Sequence, residues 1–293
     1  MDFGLVLPTF HPGASAAGIE AAAEIAERIG FSTVWTTDHV LVEQASADEY
    51  GRIFEAIVTL AHLGGRQARI KLGTSVIVVP QRSAVLLAKE LATLDALTGG
   101  RVIAGLGVGW NAPEFANLGE ADRFAVRGAY LDEAIALFRH LWSGSTAPFR
   151  GRFHQLTDFA FEPLPVQGAG LPIIIGGRVP AALRRAGQLA DGYHATASSP
   201  TQAAERMAVV RAHAEAAGRP VPALSARVRV QPGESADLAA GYALRGTPDE
   251  VRAELSAWLA AGASHLALYF GSVTPEAIVR DLEWWAREVA FSG

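Results

Sequence analysis

The sequence predicts an α/β fold, a single (β/α)8 barrel over residues 1–293, and three observations carry that expectation. Short apolar runs alternate with longer segments of helical period, as strand–helix–strand units of a parallel sheet do. Eight such pairs fit into 293 residues, the count of a barrel rather than of an open doubly wound sheet. Half of the residues are hydrophobic and 19% are charged, which supplies one large core and gives no sign of disorder.

Phe3 to Leu7 is the first apolar run. The pattern after it places Ile19, Ala22, Ala23, Ala26 and Ile29 on one helix face and stops at Gly30, a residue suited to the left-handed turn that closes a helix. Phe31 to Thr36 is the second strand, with a helical pattern over Phe54–Leu63. Leu72 to Val79 is the third, followed by Ala84–Leu97, and Val102 to Leu106 the fourth, followed by Tyr130–Trp142. Pro172 to Ile175, Gly192 to Thr196, Ala226 to Val230 and His265 to Phe270 complete the strands. Their helices are Pro180–Leu189, Thr201–Ala217, Pro248–Ala261 and Pro275–Val289. Each run is short and mostly apolar, as a strand buried on both faces should be. Thr247-Pro248 and Thr274-Pro275 put a capping hydroxyl before a proline at the first helical position. Residues 143–170, rich in Gly, Pro and Phe, break the rhythm, and the expectation is an insertion that shapes or covers the active site.

Composition removes several functions. The net charge is −5 with no basic tract, so nucleic acid is not an expected partner. There is no cysteine, which excludes disulfides, thiolate metal sites and a cysteine nucleophile. No apolar run approaches the roughly 18 residues that span a bilayer, and Met1-Asp2-Phe3-Gly4-Leu5 is not a cationic leader, so a soluble cytoplasmic protein is expected. The two lysines, Lys71 at a strand start and Lys89 in mid-helix, are misplaced for a Schiff base. The fourth strand ends in glycines and tryptophan rather than in a carboxylate for a glycosidase pair, with Glu114 further out. The eight histidines are scattered singly, so no metal is expected.

Barrel chemistry sits after the C-terminal ends of the strands. Those ends read Pro8-Thr9-Phe10-His11, Thr36-Thr37-Asp38-His39, Thr74-Ser75-Val76-Ile77, Gly105-Leu106-Gly107-Val108-Gly109-Trp110-Asn111 and Ile175-Gly176-Gly177-Arg178. Asp38-His39 suits a proton-transferring pair, or else a helix cap beside a solvated loop histidine. Gly107-Val108-Gly109 either admits a ligand close to the backbone or forms a tight turn. Trp110 either faces a planar ligand or packs. Gly176-Gly177 before a helix start either makes an anion site of the kind barrels use for phosphate or is an ordinary turn, with Arg178 either adding a charge-assisted contact or standing solvated. Glycines, hydroxyls and aromatics together suit a cofactor that carries the reactivity itself.

The same residues, in their order and spacing, resemble the luciferase-like flavin-dependent oxidoreductase superfamily over nearly the whole chain. The matching stretches are Phe3 to Pro8, Ala26 to Phe31, Val34 to His39, Leu72 to Val76, Asp95 to Val102, Gly105 to Trp110, Pro172 to Gly177 and Ala190 to Gly192. Gly107 to Asn111 resembles the branch that uses coenzyme F420, a deazaflavin. The resemblance implies a hydride passed between that cofactor and a small organic substrate, with a flavin mononucleotide (FMN)-dependent monooxygenase and a non-catalytic flavin-binding protein as the alternatives. It implies His39 and Asp38 beside the reactive face of the ring, a non-prolyl cis peptide at Ser75-Val76 behind it, and a phosphate clamp at Gly176, Gly177 and Arg178. Thr9, Gly107, Val108 and Gly109 complete the expected cofactor contacts, and Phe10, Trp110 and Asn111 the substrate pocket. Dehydrogenase members carry a glutamate where this chain has Trp110 and a tryptophan where it has Glu43. Basic residues for a sugar phosphate are not evident, so that substrate is not expected. A homodimer is expected by analogy alone.

Overall fold

The structure, a computed structural model, describes residues 1–232 and 241–290. Eight parallel strands close on themselves: Asp2–Val6, Thr33–Thr36, Lys71–Thr74, Val102–Gly107, Ile173–Gly176, Gly192–Thr196, Ala223–Pro232 and Ala263–Tyr269. The last strand pairs with the first at Leu268↔Leu5, and the seventh pairs with both the sixth and the eighth. Helices follow the strands and bury one apolar face against them, which yields the main core of Leu, Ile, Val, Ala and aromatic side chains between sheet and helices. Thr247 and Thr274 cap their helices by accepting from the amides of Glu250 and Ala277, as their position before proline predicts. Gly30, at φ 88°, ends the first helix. No helix among the described residues is long and apolar enough to cross a membrane.

The barrel interior is plugged from below. Trp35, Val6, Ile174 and Ala267 form a separate inner cluster. Gly4 and Gly73 make room for the indole of Trp35, since a Cβ at either position would lie 2.5 or 2.4 Å from it. The indole Nε1 donates to His265 Nε2 at 3.0 Å, and the ring stacks 5.4 Å from that of His194. Burial, with some help from the charge of Arg227 and from His265, lowers His194 to about 3. Burial likewise lowers His265 to about 4. Both are therefore neutral in the fold, whereas the unfolded chain takes up protons on them below pH 6.5. Stability is complete above that pH and falls as the pH drops toward 4. Between pH 7 and 5 the two imidazoles together remove about 4 kcal/mol, as urea unfolding at the two pH values will show. Equal stability at both would contradict their burial as neutral groups.

Several elements differ from the sequence expectation. The third run divides: Lys71–Thr74 ends, Ser75-Val76 is a cis peptide, and Ile77–Val78 turns to pair with Leu106 and Gly107 of the fourth strand. The helix expected at Tyr130 begins at Ala121, because its first two turns bury nothing fully and so carry no apolar period. The seventh strand runs to Pro232 and pairs there with an extra strand, Ala243–Gly246.

Finally, the insertion is held by outer helices. Glu133, on the long helix Ala121–Trp142, accepts from the amides of Arg152, Phe153 and His154, and Gln167 is held by Asp95. These partners lie on outer helices, so the segment clamps the flank of the barrel.

Candidate active site

The second strand delivers Asp38 and His39 to the mouth. Asp38, 3% exposed, forms a bidentate ion pair with Arg82 at 2.7 and 2.9 Å and also accepts from the amide of Val78 at 2.8 Å. Both carboxylate oxygens are thus engaged. The expected catalytic role for Asp38 gives way to a supporting one, because a buried carboxylate must be fully partnered and this one ties the segment after strand two to that after strand three. Arg82 is held in its charged form, for although burial opposes charge, Asp38 outweighs it.

His39, buried rather than solvated, points the other way. Its Nδ1 lies 2.9 Å from Oε2 of Glu114, which is 1% exposed. The same carboxylate accepts from the amides of Val40 (2.6 Å) and Leu41 (3.3 Å) and from Nε2 of Gln81 (3.0 Å). Burial pushes Glu114 upward, but these hydrogen bonds outweigh it and hold the group at about 2. An ionised Glu114 requires the hydrogen on Nδ1 of His39, which fixes the tautomer and leaves Nε2 as the working nitrogen. The imidazole rests against Tyr50, 4.2 Å between centroids, and the edge of Trp110, 5.9 Å away. Trp110 is 63% exposed, and Val40 and Leu41, next to His39, are exposed apolar side chains as well. Asn111, expected in the substrate pocket, caps the helix Ala112–Asn117 by accepting from the amide of Glu114, and its Nδ2 donates to Glu43. Its side chain is spent on placing Glu114.

The cis peptide Ser75-Val76 forms the floor. Cβ atoms at Gly107 or Gly176 would lie 2.6 or 3.1 Å from the methyls of Val76, so these glycines make room for that side chain. The close approach expected of a ligand at Gly107 is taken by Val76, because the cis turn swings it between the two strands. Gly109, at φ 76°, makes the tight turn that Val108 and Trp110 flank. Ser75 Oγ meets His194 Nε2 at 2.9 Å, and His194 Nδ1 meets Ser225 Oγ at 2.8 Å. Arg227 donates to Thr37 Oγ1 and to the carbonyl of Ser75. Phe10 stacks between Tyr50 and Tyr269, with centroids 5.7 and 5.5 Å away.

On the far side, Gly176 and Gly177 (φ 129°) precede the helix Pro180–Leu189, whose cap residue Val179 offers no side-chain acceptor. Tyr193 Oη donates to the carbonyl of Gly177 at 3.0 Å. Arg178 is exposed and has no ion-pair partner among the described residues. The hydroxyls of Thr9 and Thr36, buried at the ends of strands one and two, also lack partners there. The amides of Ala182 and Leu183 bond to the carbonyl of Val179 and Pro180 has none, so the exposed guanidinium of Arg178 and the two hydroxyls without partners among the described residues are the donors left for a phosphate-bearing ring cofactor. No group of three potential metal ligands occurs among the described residues.

A family model for luciferase-like monooxygenase matches residues 1–264, and the chain belongs to that family. Among its relatives is an F420-dependent glucose-6-phosphate dehydrogenase of Amycolatopsis mediterranei, 31% identical over 210 residues, 70% of this chain and 62% of the relative. The chain therefore spans less than two thirds of that enzyme. An uncharacterized protein of Mycobacterium tuberculosis is 34% identical over 68% of this chain and 72% of its own. In fold the chain matches the coenzyme F420-dependent tetrahydromethanopterin reductase of Methanopyrus kandleri (TM-score 0.82, 18% identity, 98% of both chains). It also matches an FMN-bound Type II Baeyer-Villiger monooxygenase from Pseudomonas putida (TM-score 0.82, 16% identity, 99% and 98%). The chain is thus a member of the luciferase-like monooxygenase family built on a parallel barrel.

Sequence spacing does not single out Glu114, Tyr50, Tyr269, His194 or Arg227. One signal was available. From Leu224 to Val230 apolar and polar residues alternate, which puts Ser225, Arg227 and Arg229 on the face opposite the core.

Proposed function

We propose that the protein transfers a hydride between coenzyme F420 and a small organic substrate, with His39 as the group that gives or takes the accompanying proton. The buried Glu114–His39 pair carries this reading, since it presents one imidazole nitrogen of defined tautomer at the barrel mouth. A deazaflavin or flavin, when bound, supplies a ring that exchanges two electrons, and the protein supplies position, protons and the exclusion of water. Gly176, Gly177 and Arg178 hold the phosphate. Thr9, Ser75, Val76, Val108 and Gly109 lie along the ring, and Phe10 and Trp110 bound the substrate. The F420-dependent relatives at 31% and 34% identity support the deazaflavin.

The second reading, an FMN-dependent monooxygenase, draws on the family description and on the FMN-bound fold neighbour. Oxygen consumption during turnover separates the two. Hydride transfer predicts turnover without oxygen uptake, and uptake in step with product overturns it. Arg178→Ala should weaken cofactor binding about 10-fold through the loss of a charge-assisted hydrogen bond. Its unfolding free energy should stay within about 0.5 kcal/mol, since the side chain is exposed. Unchanged affinity in an equilibrium titration would remove Arg178 from the clamp.

A further inference from the structure

We propose that Arg227 anchors the carboxylate of a small organic acid in the barrel mouth and so sets the substrate class. The inference rests on the oxidoreductase reading above. On the seventh strand Leu224, Ala226, Val228 and Val230 are buried in the outer core, so Arg227 and Arg229 share the inward face. Arg227 is half-buried. Its Nη1 donates to Thr37 Oγ1 at 3.0 Å and to the carbonyl of Ser75 at 3.3 Å, while Nε and Nη2 have no partner among the described residues. No described carboxylate lies within ion-pair distance of Arg227 or Arg229. Burial disfavours the charge of Arg227, and Glu49 acts on it only from a distance.

The cation stands over the rings of Phe10 and Tyr269, 5.6 and 5.2 Å from their centroids. Those rings repay part of the cost of burying it, and an anion repays the rest. The open edge, formed by Nε–H and one Nη2–H, is the fork that takes a planar carboxylate through two parallel hydrogen bonds. The stacked rings of Phe10, Tyr50 and Tyr269 lead from Arg227 to His39, so the acid's flat or apolar body spans the two. In a chain of net charge −5, a cationic mouth also draws anions to the one place where they react. The carboxylate is a handle that the reaction leaves unchanged.

Calorimetric titration with benzoate and with uncharged benzamide tests the proposal without requiring turnover. Benzoate should bind the wild-type protein at least about 10-fold more tightly than benzamide. Arg227→Gln should erase that difference, and Arg227→Lys should restore part of it. Equal wild-type affinity for the two probes overturns the proposal whatever the variants do. So does undiminished benzoate binding by Arg227→Gln, or tighter wild-type binding of glucose 6-phosphate than of benzoate. If Arg227→Gln instead loses affinity for F420 or FMN and keeps its preference for benzoate, the arginine serves the cofactor and the proposal falls. Failure of the oxidoreductase reading would appear in turnover and oxygen uptake, not in these titrations.

Discussion

His39→Ala should lower turnover by about 10²–10⁴-fold, the contribution of a positioned acid–base group, while cofactor affinity stays near that of the parent protein. The imidazole sits on a carboxylate that four donors keep ionised, so its Nδ1 hydrogen has one place to go and Nε2 is committed to the mouth. Glu114→Gln probes that commitment. The amide keeps the shape but loses the charge and directs an NH2 group at donors, so turnover should fall by about 10- to 100-fold. The double variant should be no worse than His39→Ala alone, because Glu114 acts through the ring it orients. A change in the pH profile of turnover in Glu114→Gln would mark that positioning role. Additive losses would show two independent functions, and unchanged turnover in His39→Ala would remove the histidine from the chemistry.

The second large effect concerns stability. Asp38→Ala leaves the guanidinium of Arg82 buried without its partner and the amide of Val78 without an acceptor. It should cost about 3–5 kcal/mol in urea unfolding, with turnover falling as His39 loses its mooring. Replacing both partners, Asp38→Leu with Arg82→Met, should recover much of the loss, since two apolar groups leave no stranded charge. A loss below about 1 kcal/mol in the single variant would place the pair among weak surface ion pairs and contradict its burial.

The barrel was legible in the sequence because parallel strands covered on both faces read as mostly apolar runs, and those from Phe3 to Phe270 show it. The break at Ser75-Val76 was legible only through family resemblance, since Leu72 to Val79 reads as one apolar stretch and periodicity does not register a peptide's isomer. Asp38-His39 stood out by its place at a strand end, but adjacency does not say that one residue turns toward Arg82 and the other toward Glu114. Glu114 itself lies a helix turn beyond the fourth strand. The Asn111 cap that brings it back is a local signal with a long-range result, 75 residues from His39. Arg227 was hidden in a run classed as apolar, although the alternation of Leu224 to Val230 carries the information.

The most direct test of the account is a pair of equilibrium titrations of the purified protein, one with coenzyme F420 and one with FMN, each repeated on Arg178→Ala. The account predicts tight saturable binding of F420, weaker binding of FMN, and a loss of about 10-fold for either in the variant. Tight FMN binding with no measurable F420 binding would contradict the deazaflavin assignment, and no binding of either would contradict a cofactor site at the strand ends.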